Sequence, residues 1–181
     1  RNSTQKKWLE MHSRIAAKIL SPDALQQKLS TWRLKSNKIV FTNGVFDLVH
    51  PGHADYLSSA SDCGDRLIVG LNSDNSVKSL NKGDDRPINP EKDRAALLAA
   101  LHSVDAVVIF DDHTPQQLIE QIAPDVLVKG GDYNADETDP HSKKFIVGSK
   151  SVRKKGGEVV VIPFLTGYSS TNVIEKIRGN G

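Results

Sequence analysis

Residues 38–53, KIVFTNGVFDLVHPGH, predict a strand, a turn and the start of a helix in direct succession. Residues 39–41 form a short apolar run rich in β-forming side chains, which is typical of a strand covered on both faces. The pair Asn43-Gly44 favours a turn, because both residues tolerate backbone angles that other residues resist. Pro51 supplies the fixed φ angle and the missing N–H group expected at the first position of a helix.

The predicted helix start carries two histidines. His50 and His53 flank it, and Gly52 between them permits close approach. A helix N-terminus presents free N–H groups and the positive end of a dipole, which together favour a phosphate. Each histidine by itself is more often a surface or core residue than a functional one. Two histidines and two glycines around one helix start, with Asp47 beside them, favour phosphate binding between two imidazoles.

The composition is that of an ordinary globular chain. Its 181 residues are enough for one domain with a proper core plus a short extension. Hydrophobic residues make up 38% and charged residues 25% of the chain, both near the usual values. A net charge of +2 with only 6% aromatic residues gives no concentrated basic surface, so we expect no nucleic-acid partner.

Cysteine content and hydropathy bear on the compartment. The single cysteine, Cys63, cannot form an internal disulfide, which fits a reducing cytoplasm. No apolar run approaches membrane-spanning length, so we expect no membrane partner. No histidine and cysteine spacing indicates a dedicated zinc site.

Residues 1–36 are interpreted as a helical extension ahead of a domain at residues 37–181. A second short helix within the extension is predicted to have Ser21 as its cap and Pro22 at its first position. Apolar residues at helical spacing should pack on the domain or on another subunit, so we assign them no chemistry. This apolar stripe comprises Trp8, Met11, Ile15, Ile19, Leu20, Ala24, Leu25, Leu29 and Trp32.

From residue 38 onward, strands and helices alternate. This alternation predicts an α/β, Rossmann-like, doubly wound parallel sheet of about five strands. Asn89 is expected to cap a helix that starts at Pro90, with Leu97, Leu98 and Leu101 on its core face. The expected strands are residues 38–42, 66–72, 106–110, 126–129 and 158–162, and further helices begin at Pro51, at a capping box in residues 114–117 and at Thr171.

Polar and glycine-rich residues follow most of the predicted strands. Because the carboxyl ends of parallel strands meet at one edge of a sheet, these residues should converge on a single cleft. Neither GxxxxGK[ST] nor GxGxxG occurs, so phosphates in that cleft must be held by the histidine helix start and by basic side chains. The converging segments are residues 43–44, 72–74, 130–132 and 163–170.

The segment GVFDLVHPGH resembles the GxFDxxHxGH signature of the nucleotidyltransferase family of small cytidylyl- and adenylyltransferases. Three later segments fall in the order that this family shows: RPINP at residues 86–90, VKGGDY at residues 128–133 and SSTN at residues 169–172. Together they resemble the branch that activates D-glycero-D-manno-heptose 1-phosphate for lipopolysaccharide synthesis. The resemblance covers about residues 38–178.

The resemblance implies a reaction. AMP would pass from ATP to the sugar 1-phosphate, releasing pyrophosphate and forming ADP-heptose for the lipopolysaccharide core. Within the same family, a glycerol-phosphate or ethanolamine-phosphate cytidylyltransferase and an FMN adenylyltransferase remain open. A nucleotide-binding sensory module without turnover and a fragment of a class I aminoacyl-tRNA synthetase are alternatives from other classes.

The residue types fit this reaction, which needs in-line positioning and charge neutralisation more than covalent help. His50 and His53 can donate to phosphate oxygens, and Arg94 and Lys78 offer cations for catalysis. The candidate nucleotide-binding residues are Asn43, Gly44, Phe46, Asp47, Gly52, Gly130, Asp132, Ser169, Ser170 and Thr171, and the candidate substrate-binding residues are Arg86, Lys129 and Lys150.

Plainer interpretations of the same residues remain open. Arg94 and Lys78 would be solvated charges, and Arg86 would pair with the acidic residues at positions 84 and 85. The alternatives for the loop residues are turn stabilisation by Asp132 and helix capping by Ser170 and Thr171.

We expect Mg²⁺ to arrive with ATP and to be held mostly by phosphate oxygens and water. Asp47 is the candidate metal ligand, with hydrogen bonding in its turn as the alternative. The expected partners are ATP and a sugar phosphate, and we expect a homodimer. The loop at residues 134–147, NADETDPHSKKFIV, is expected to lie over the cleft and to shape sugar recognition.

Overall fold

A five-stranded parallel sheet forms the centre of the computed structural model, which describes residues 13–80, 86–177 and 179. The predicted α/β, doubly wound fold is confirmed. The strands are β1 (Ile39–Gly44), β2 (Arg66–Asn72), β3 (Ala106–Phe110), β4 (Val126–Gly130) and β5 (Glu158–Ile162). The helices are α1 (Ser13–Ala16), α2 (Pro22–Leu34), α3 (Pro51–Ser61), α4 (Asp74–Ser79), α5 (Glu91–Ala100), α6 (Gln116–Ile122), α7 (Ser149–Lys154) and α8 (Ser170–Ile177).

The strand order creates a crevice between β1 and β4. The order is β3-β2-β1-β4-β5, and every neighbouring pair is parallel. The chain winds from β1 through β2 to β3, and it then crosses to β4 and β5 on the other side of β1. In such a sheet, ligands bind outside the carboxyl ends of the strands where the order reverses. Asn43 and Gly44 end β1 and Gly130 ends β4, so these residues lie at the crevice.

Each face of the sheet has its own apolar core. In β1, Ile39 and Phe41 belong to one core and Val40 to the other, as the period-two alternation of a strand requires. All three side chains are fully buried, so the predicted two-sided burial of this strand is confirmed. Burying a side chain of this size contributes about 1.5–3 kcal/mol. The strand that leads into the histidine helix is therefore firmly held.

The N-terminal segment packs into these same cores. In α2, Leu25, Leu29 and Trp32 are buried in the core that contains Ile39 and Phe41. The prediction that the apolar stripe packs on the domain is therefore confirmed for α2. Trp8 and Met11 lie outside the described residues.

Residues 18–20 also cover an edge of the sheet. The Val107 N–H donates to the Lys18 carbonyl at 2.8 Å, and the Leu20 N–H donates to the Val107 carbonyl at 2.9 Å. This pairing protects the β3 edge from association with another strand. The predicted cap of α2 is confirmed, because the Ala24 N–H donates to Ser21 Oγ at 3.3 Å. Residues 18–34 are thus part of the folded sheet domain.

Several local predictions about helices are wrong. Helix α5 begins after Pro90, and Asn89 bonds to a different loop instead of capping it. Helix α6 begins after Pro115 without a side-chain cap, so Thr114 does not form a capping box. Leu97, expected in the core, is 49% exposed because it lies on the outer face of α5. None of the described helices is long and apolar enough to cross a membrane.

Candidate active site

The two histidines stack at the start of α3. His50 is the residue that precedes the helix, and its side chain makes no capping bond. The rings of His50 and His53 lie 3.9 Å apart between centroids and 23° from parallel. Nδ1 of each ring is buried and has no hydrogen-bond partner among the described residues. The two imidazole rings therefore lie side by side at a helix N-terminus, where a phosphate can bind.

Aromatic neighbours fix the orientation of this pair. The rings of Phe46 and His53 pack with centroids 5.2 Å apart and an interplanar angle of 62°. The rings of Tyr168 and His50 have centroids 6.3 Å apart and an interplanar angle of 22°. Gly52 makes the close packing possible, because a Cβ there would come within 3.0 Å of Tyr168 Cβ and 3.1 Å of the His50 ring. The close approach predicted at Gly52 is therefore that of the Tyr168 and His50 side chains to the Gly52 backbone.

Burial keeps both imidazoles neutral near neutral pH. It lowers the pKa of His50, and it lowers the pKa of His53 to about 4 with a smaller contribution from the neighbouring His50. A neutral imidazole has one donor and one acceptor nitrogen. An anionic ligand would favour the protonated form and so would raise these pKa values again.

The turn between β1 and α3 holds a conformation that a bulky side chain rarely adopts. Phe46 has a φ of 47°, in the left-handed region. Such backbone strain persists where surrounding contacts enforce it, and it clusters at functional sites. Val45, the residue before Phe46, is fixed by a hydrogen bond of 2.6 Å from Arg94 Nη1 to its carbonyl oxygen.

A cleft of about 570 Å³ opens beside the histidine pair, within the usual size range of ligand sites, and His53 but not His50 is among its wall residues. Of the predicted site residues, its walls include Asn43, Gly44, Phe46, Asp47, His53, Arg86, Lys129, Gly130, Ser170 and Thr171. The walls also contain residues that the sequence interpretation did not select, namely Val45, Tyr56, Val77, Tyr133 and Phe164.

Two cationic side chains reach the cleft from different elements. Lys129 Nζ donates to Asn43 Oδ1 at 2.8 Å, which ties the ends of β1 and β4 together, and it lies 5.4 Å from the Tyr133 ring centroid. Arg86 contributes a guanidinium group from the segment before α5. On another wall, Ser170 at the start of α8 donates from Oγ to the Leu48 carbonyl at 3.3 Å. The cleft therefore offers positive charge and hydroxyl groups to an anionic ligand.

Phe164 forms an exposed aromatic wall of the cleft. Its side chain is 63% exposed, yet its ring lies where a Cβ on Gly130 or Gly131 would be, at 2.4 Å in each case. The ring also packs edge-on against Tyr56, with centroids 6.2 Å apart. An exposed aromatic ring beside polar groups can contact a flat ligand group such as a nucleobase. The strand-end rule located the segment of Phe164 but did not single out this residue.

Arg94 lies in the protein interior and does not line the cleft. Its side chain is 0% exposed, so the solvated-charge interpretation is wrong. Nε donates to the Asn89 carbonyl at 2.9 Å, and Nη2 donates to Asp74 Oδ1 at 2.7 Å. With Nη1 on the Val45 carbonyl, all three nitrogens have protein partners. The structure thus corrects the predicted contact between Arg94 and phosphate to a bond network behind the cleft.

Other predicted residues also lie outside the cleft walls. Lys78, Asp132 and Lys150 are exposed side chains, and none of them is among the wall residues. Lys150 lies on α7, and its ammonium group is 5.7 Å from the ring centroid of Phe145. Ser169 is half-buried next to the wall residue Ser170. The strand and helix pattern identified the correct edge of the sheet but not which side chains turn inward.

The Asp47 carboxylate is engaged in hydrogen bonds within the protein. Its buried carboxylate accepts hydrogen bonds from Arg86 Nη1 at 2.7 Å and from the N–H groups of Ile88 and Asn89 at 2.8 and 3.0 Å. The alternative of hydrogen bonding is therefore confirmed, and the role of Asp47 as a metal ligand stays a prediction. The described residues contain no group of three or more histidine, cysteine or carboxylate side chains that could hold a metal. The acidic residues at 84 and 85, predicted to pair with Arg86, lie outside the described residues.

The loop at residues 134–147 does not cover the cleft. It closes on itself through a 3.0 Å bond from the Asn134 N–H to the Lys144 carbonyl, and its Ile146 is buried in a core. None of its residues lines the cleft. The expectation that it lies over the cleft is wrong, because Ile146 anchors the loop beside α7 instead.

The profile of the cytidylyltransferase-like family matches residues 41–176, which include β1, the stacked histidines and every wall of the cleft. The chain belongs to the cytidylyltransferase-like family. The family membership predicted from the histidine signature is thus confirmed.

Two relatives from different bacteria share one name. The bifunctional protein HldE of Wolinella succinogenes is 52% identical over 163 residues, which are 90% of this chain and 32% of that protein. The bifunctional protein HldE of Histophilus somni is 51% identical over 170 residues, or 93% of this chain and 34% of that protein. The chain therefore spans about a third of the length of these relatives.

Solved structures share the fold. The lipopolysaccharide core biosynthesis protein of Thermoplasma volcanium GSS1 matches with a TM-score of 0.54 and 25% identity, covering 74% of this chain and 99% of that one. A Francisella tularensis pantoate-beta-alanine ligase, solved with beta-gamma ATP and beta-alanine, matches with a TM-score of 0.56. The ligase match is 15% identical over 88% of this chain and 76% of that one, so it bears on the fold alone.

Proposed function

We propose that this chain transfers AMP from ATP to a sugar 1-phosphate, D-glycero-D-manno-heptose 1-phosphate, with release of pyrophosphate. The observation that carries the proposal is the stacked pair His50 and His53 at a helix N-terminus beside a cationic cleft. Such a site suits the phosphate groups of two substrates at once. The sequence identity of 52% and 51% with two HldE proteins supports the heptose branch. The structural similarity to a lipopolysaccharide core biosynthesis protein also supports it.

The reaction is a displacement at phosphorus. A phosphate oxygen of the sugar 1-phosphate attacks the α-phosphorus of ATP, the bond from that phosphorus to the bridging oxygen breaks, and pyrophosphate leaves with the bond electrons. His50 and His53 donate N–H groups to the phosphoryl oxygens as negative charge builds on them. Their ring packing against Tyr168 and Phe46 fixes the donors in advance, so little reorganisation accompanies the reaction.

The remaining walls have separate tasks in this proposal. Arg86 and Lys129 neutralise phosphate charge. The hydroxyl groups of Ser170 and Thr171, at the start of α8, bind phosphate oxygens. Phe164 contacts the adenine ring. Mg²⁺ would enter with ATP and supply charge neutralisation on its phosphates. Because the Asp47 carboxylate already accepts three hydrogen bonds, phosphate oxygens and water would provide most of the metal ligands.

A comparison of nucleotides and acceptors tests the proposal. The value of kcat/KM is measured for ATP and CTP with heptose 1-phosphate, glycerol 3-phosphate and FMN as acceptors, with pyrophosphate release as the signal. A site built around the hydrogen-bonding edge of adenine should favour ATP by about a hundredfold or more, because the wrong base leaves buried groups unpaired.

The outcomes separate the alternatives. Turnover with ATP and heptose 1-phosphate alone supports the proposal. Preference for CTP, or turnover only with a non-sugar acceptor, would contradict the assigned substrates. ATP binding without pyrophosphate release for any acceptor would favour a sensory module.

A further inference from the structure

Asp47 connects the turn after β1 to the segment before α5. Besides the three hydrogen bonds to its carboxylate, its main-chain carbonyl accepts a bond from Asn89 Nδ2 at 2.8 Å. Its side chain is only 2% exposed, so the carboxylate lies behind the cleft surface. Among the described residues, every hydrogen bond of this side chain therefore goes to residues 86–89.

The Asp47 carboxylate is held in its charged form. Burial would raise its pKa, but hydrogen bonds from Asn89, Arg86 and Ile88 together with the Arg86 charge outweigh burial and lower the pKa. A charged carboxylate with all its partners inside the protein is a fixed anchor. In this charged form it accepts hydrogen bonds and does not serve as a proton donor.

Arg86 is bound to this anchor through only part of its guanidinium group. Nη1 donates to Asp47, whereas Nε and Nη2 have no hydrogen-bond partner among the described residues. The side chain is 20% exposed and lines the cleft. A guanidinium group can bind a carboxylate on one side and a phosphate with its other N–H groups. The anchor thus sets where the remaining donors of Arg86 can meet a ligand.

We propose that Asp47 is a positioning residue that holds the Arg86 guanidinium in the cleft for contact with a substrate phosphate. This inference rests on the proposed function for the identity of the substrates. The phosphate belongs either to ATP or to the acceptor sugar, and the chemistry of recognition is the same in both cases. Without Asp47, Arg86 would sample several rotamers and bind the phosphate less often.

A double-mutant cycle tests the coupling of the two residues. Asp47→Asn keeps the size and one acceptor oxygen, Arg86→Ala removes the guanidinium group, and the third variant combines both changes. Each protein is assayed for KM of ATP, KM of the sugar phosphate and kcat, and for calorimetric affinity for ATP and for inorganic phosphate. Asp62→Asn and Lys92→Ala are the matched controls, because both remove an exposed charge outside the cleft walls.

Asp47→Asn should weaken one substrate constant by about tenfold when Arg86 is present and by less than about twofold when it is absent. A change in the ATP constants assigns the contact to the nucleotide, and a change in the sugar-phosphate constants assigns it to the acceptor. A change in the affinity for inorganic phosphate supports a phosphate contact in either case. Arg86→Lys should restore only part of the loss, since an ammonium group lacks the fork geometry.

Equal effects of Asp47→Asn in both backgrounds would overturn the positioning role and leave a merely structural one. The binding constants give this answer even if no acceptor turns over. Failure of the proposed reaction is therefore distinguishable from failure of this inference.

Discussion

Two arginine–aspartate pairs flank the turn that carries the histidines, and they are buried in opposite ways. In both pairs the nitrogen and oxygen lie 2.7 Å apart. In the pair of Arg94 and Asp74, the arginine is 0% and the aspartate 32% exposed. In the pair of Arg86 and Asp47, the arginine is 20% and the aspartate 2% exposed. The exposed partner decides the role: a buried arginine can only hold the fold, whereas a partly exposed one can also hold a ligand.

The largest effect should come from breaking the inner pair. Arg94→Ala would leave the carbonyls of Val45 and Asn89 and the Asp74 carboxylate without their donor. We expect the free energy of unfolding to fall by about 3–4 kcal/mol, with Tm falling by about 10 °C. Arg86→Ala should lower Tm by less than half as much, because Asp47 keeps two backbone donors. Thermal unfolding of both variants measures the contrast, and equal shifts would remove the distinction between the pairs.

The histidines give the next largest effect and set the scale for a cleft contact. His50→Ala or His53→Ala should lower kcat by about a hundredfold or more, with a modest change in ATP affinity, because the donors act on charge that develops in the transition state. Steady-state kinetics and calorimetry separate the two quantities. Near-normal turnover in both variants would exclude the proposed role of the pair.

A smaller effect concerns how the free energy of unfolding changes at acid pH. The pKa of Asp47 is lowered from its ordinary value of 3.8, so its ionised form is favoured in the folded protein. Its stabilising contribution is complete above about pH 4 and is lost as the pH falls through the folded pKa. The difference in unfolding free energy between the wild type and Asp47→Asn should therefore shrink below that pH. A difference that stays constant from pH 5 to pH 2.5 in urea titrations would contradict this ionisation.

The smallest effect is expected for a cation outside both pairs. Lys150 is exposed on α7 and absent from the cleft walls, so Lys150→Ala should change kcat/KM by less than about twofold. The same kinetic assay with ATP and the sugar phosphate measures it. A rise in the KM of the sugar phosphate of tenfold would show that Lys150 reaches the substrate after all and would restore the prediction made from the sequence.

The fold and the histidine pair were predictable because their signals are local. The spacing of His50, Gly52 and His53 and the apolar strand before them lie within one short stretch. The hydrogen-bond partners of Asp47 were not predictable, because Ile88 and Asn89 lie 41 and 42 residues further along the chain. No local pattern indicates which distant donors a carboxylate will meet.

The burial of Arg94 and the position of Phe164 were not predictable for the same reason. The burial of Arg94 depends on Val45, 49 residues earlier in the chain. The position of Phe164 depends on packing over Gly130 and Gly131, which only the folded sheet brings beneath it. Mg²⁺ and the homodimer stay predictions.

The fate of radiolabelled ATP tests the central claim most directly. The protein is incubated with heptose 1-phosphate and Mg²⁺, once with ATP labelled at the α-phosphorus and once with ATP labelled at the γ-phosphorus. The proposed displacement predicts that the α label appears in a sugar nucleotide and the γ label in pyrophosphate. Transfer of the γ label to the sugar, or no transfer of the α label under conditions where ATP binds, would contradict adenylyl transfer at the stacked histidines.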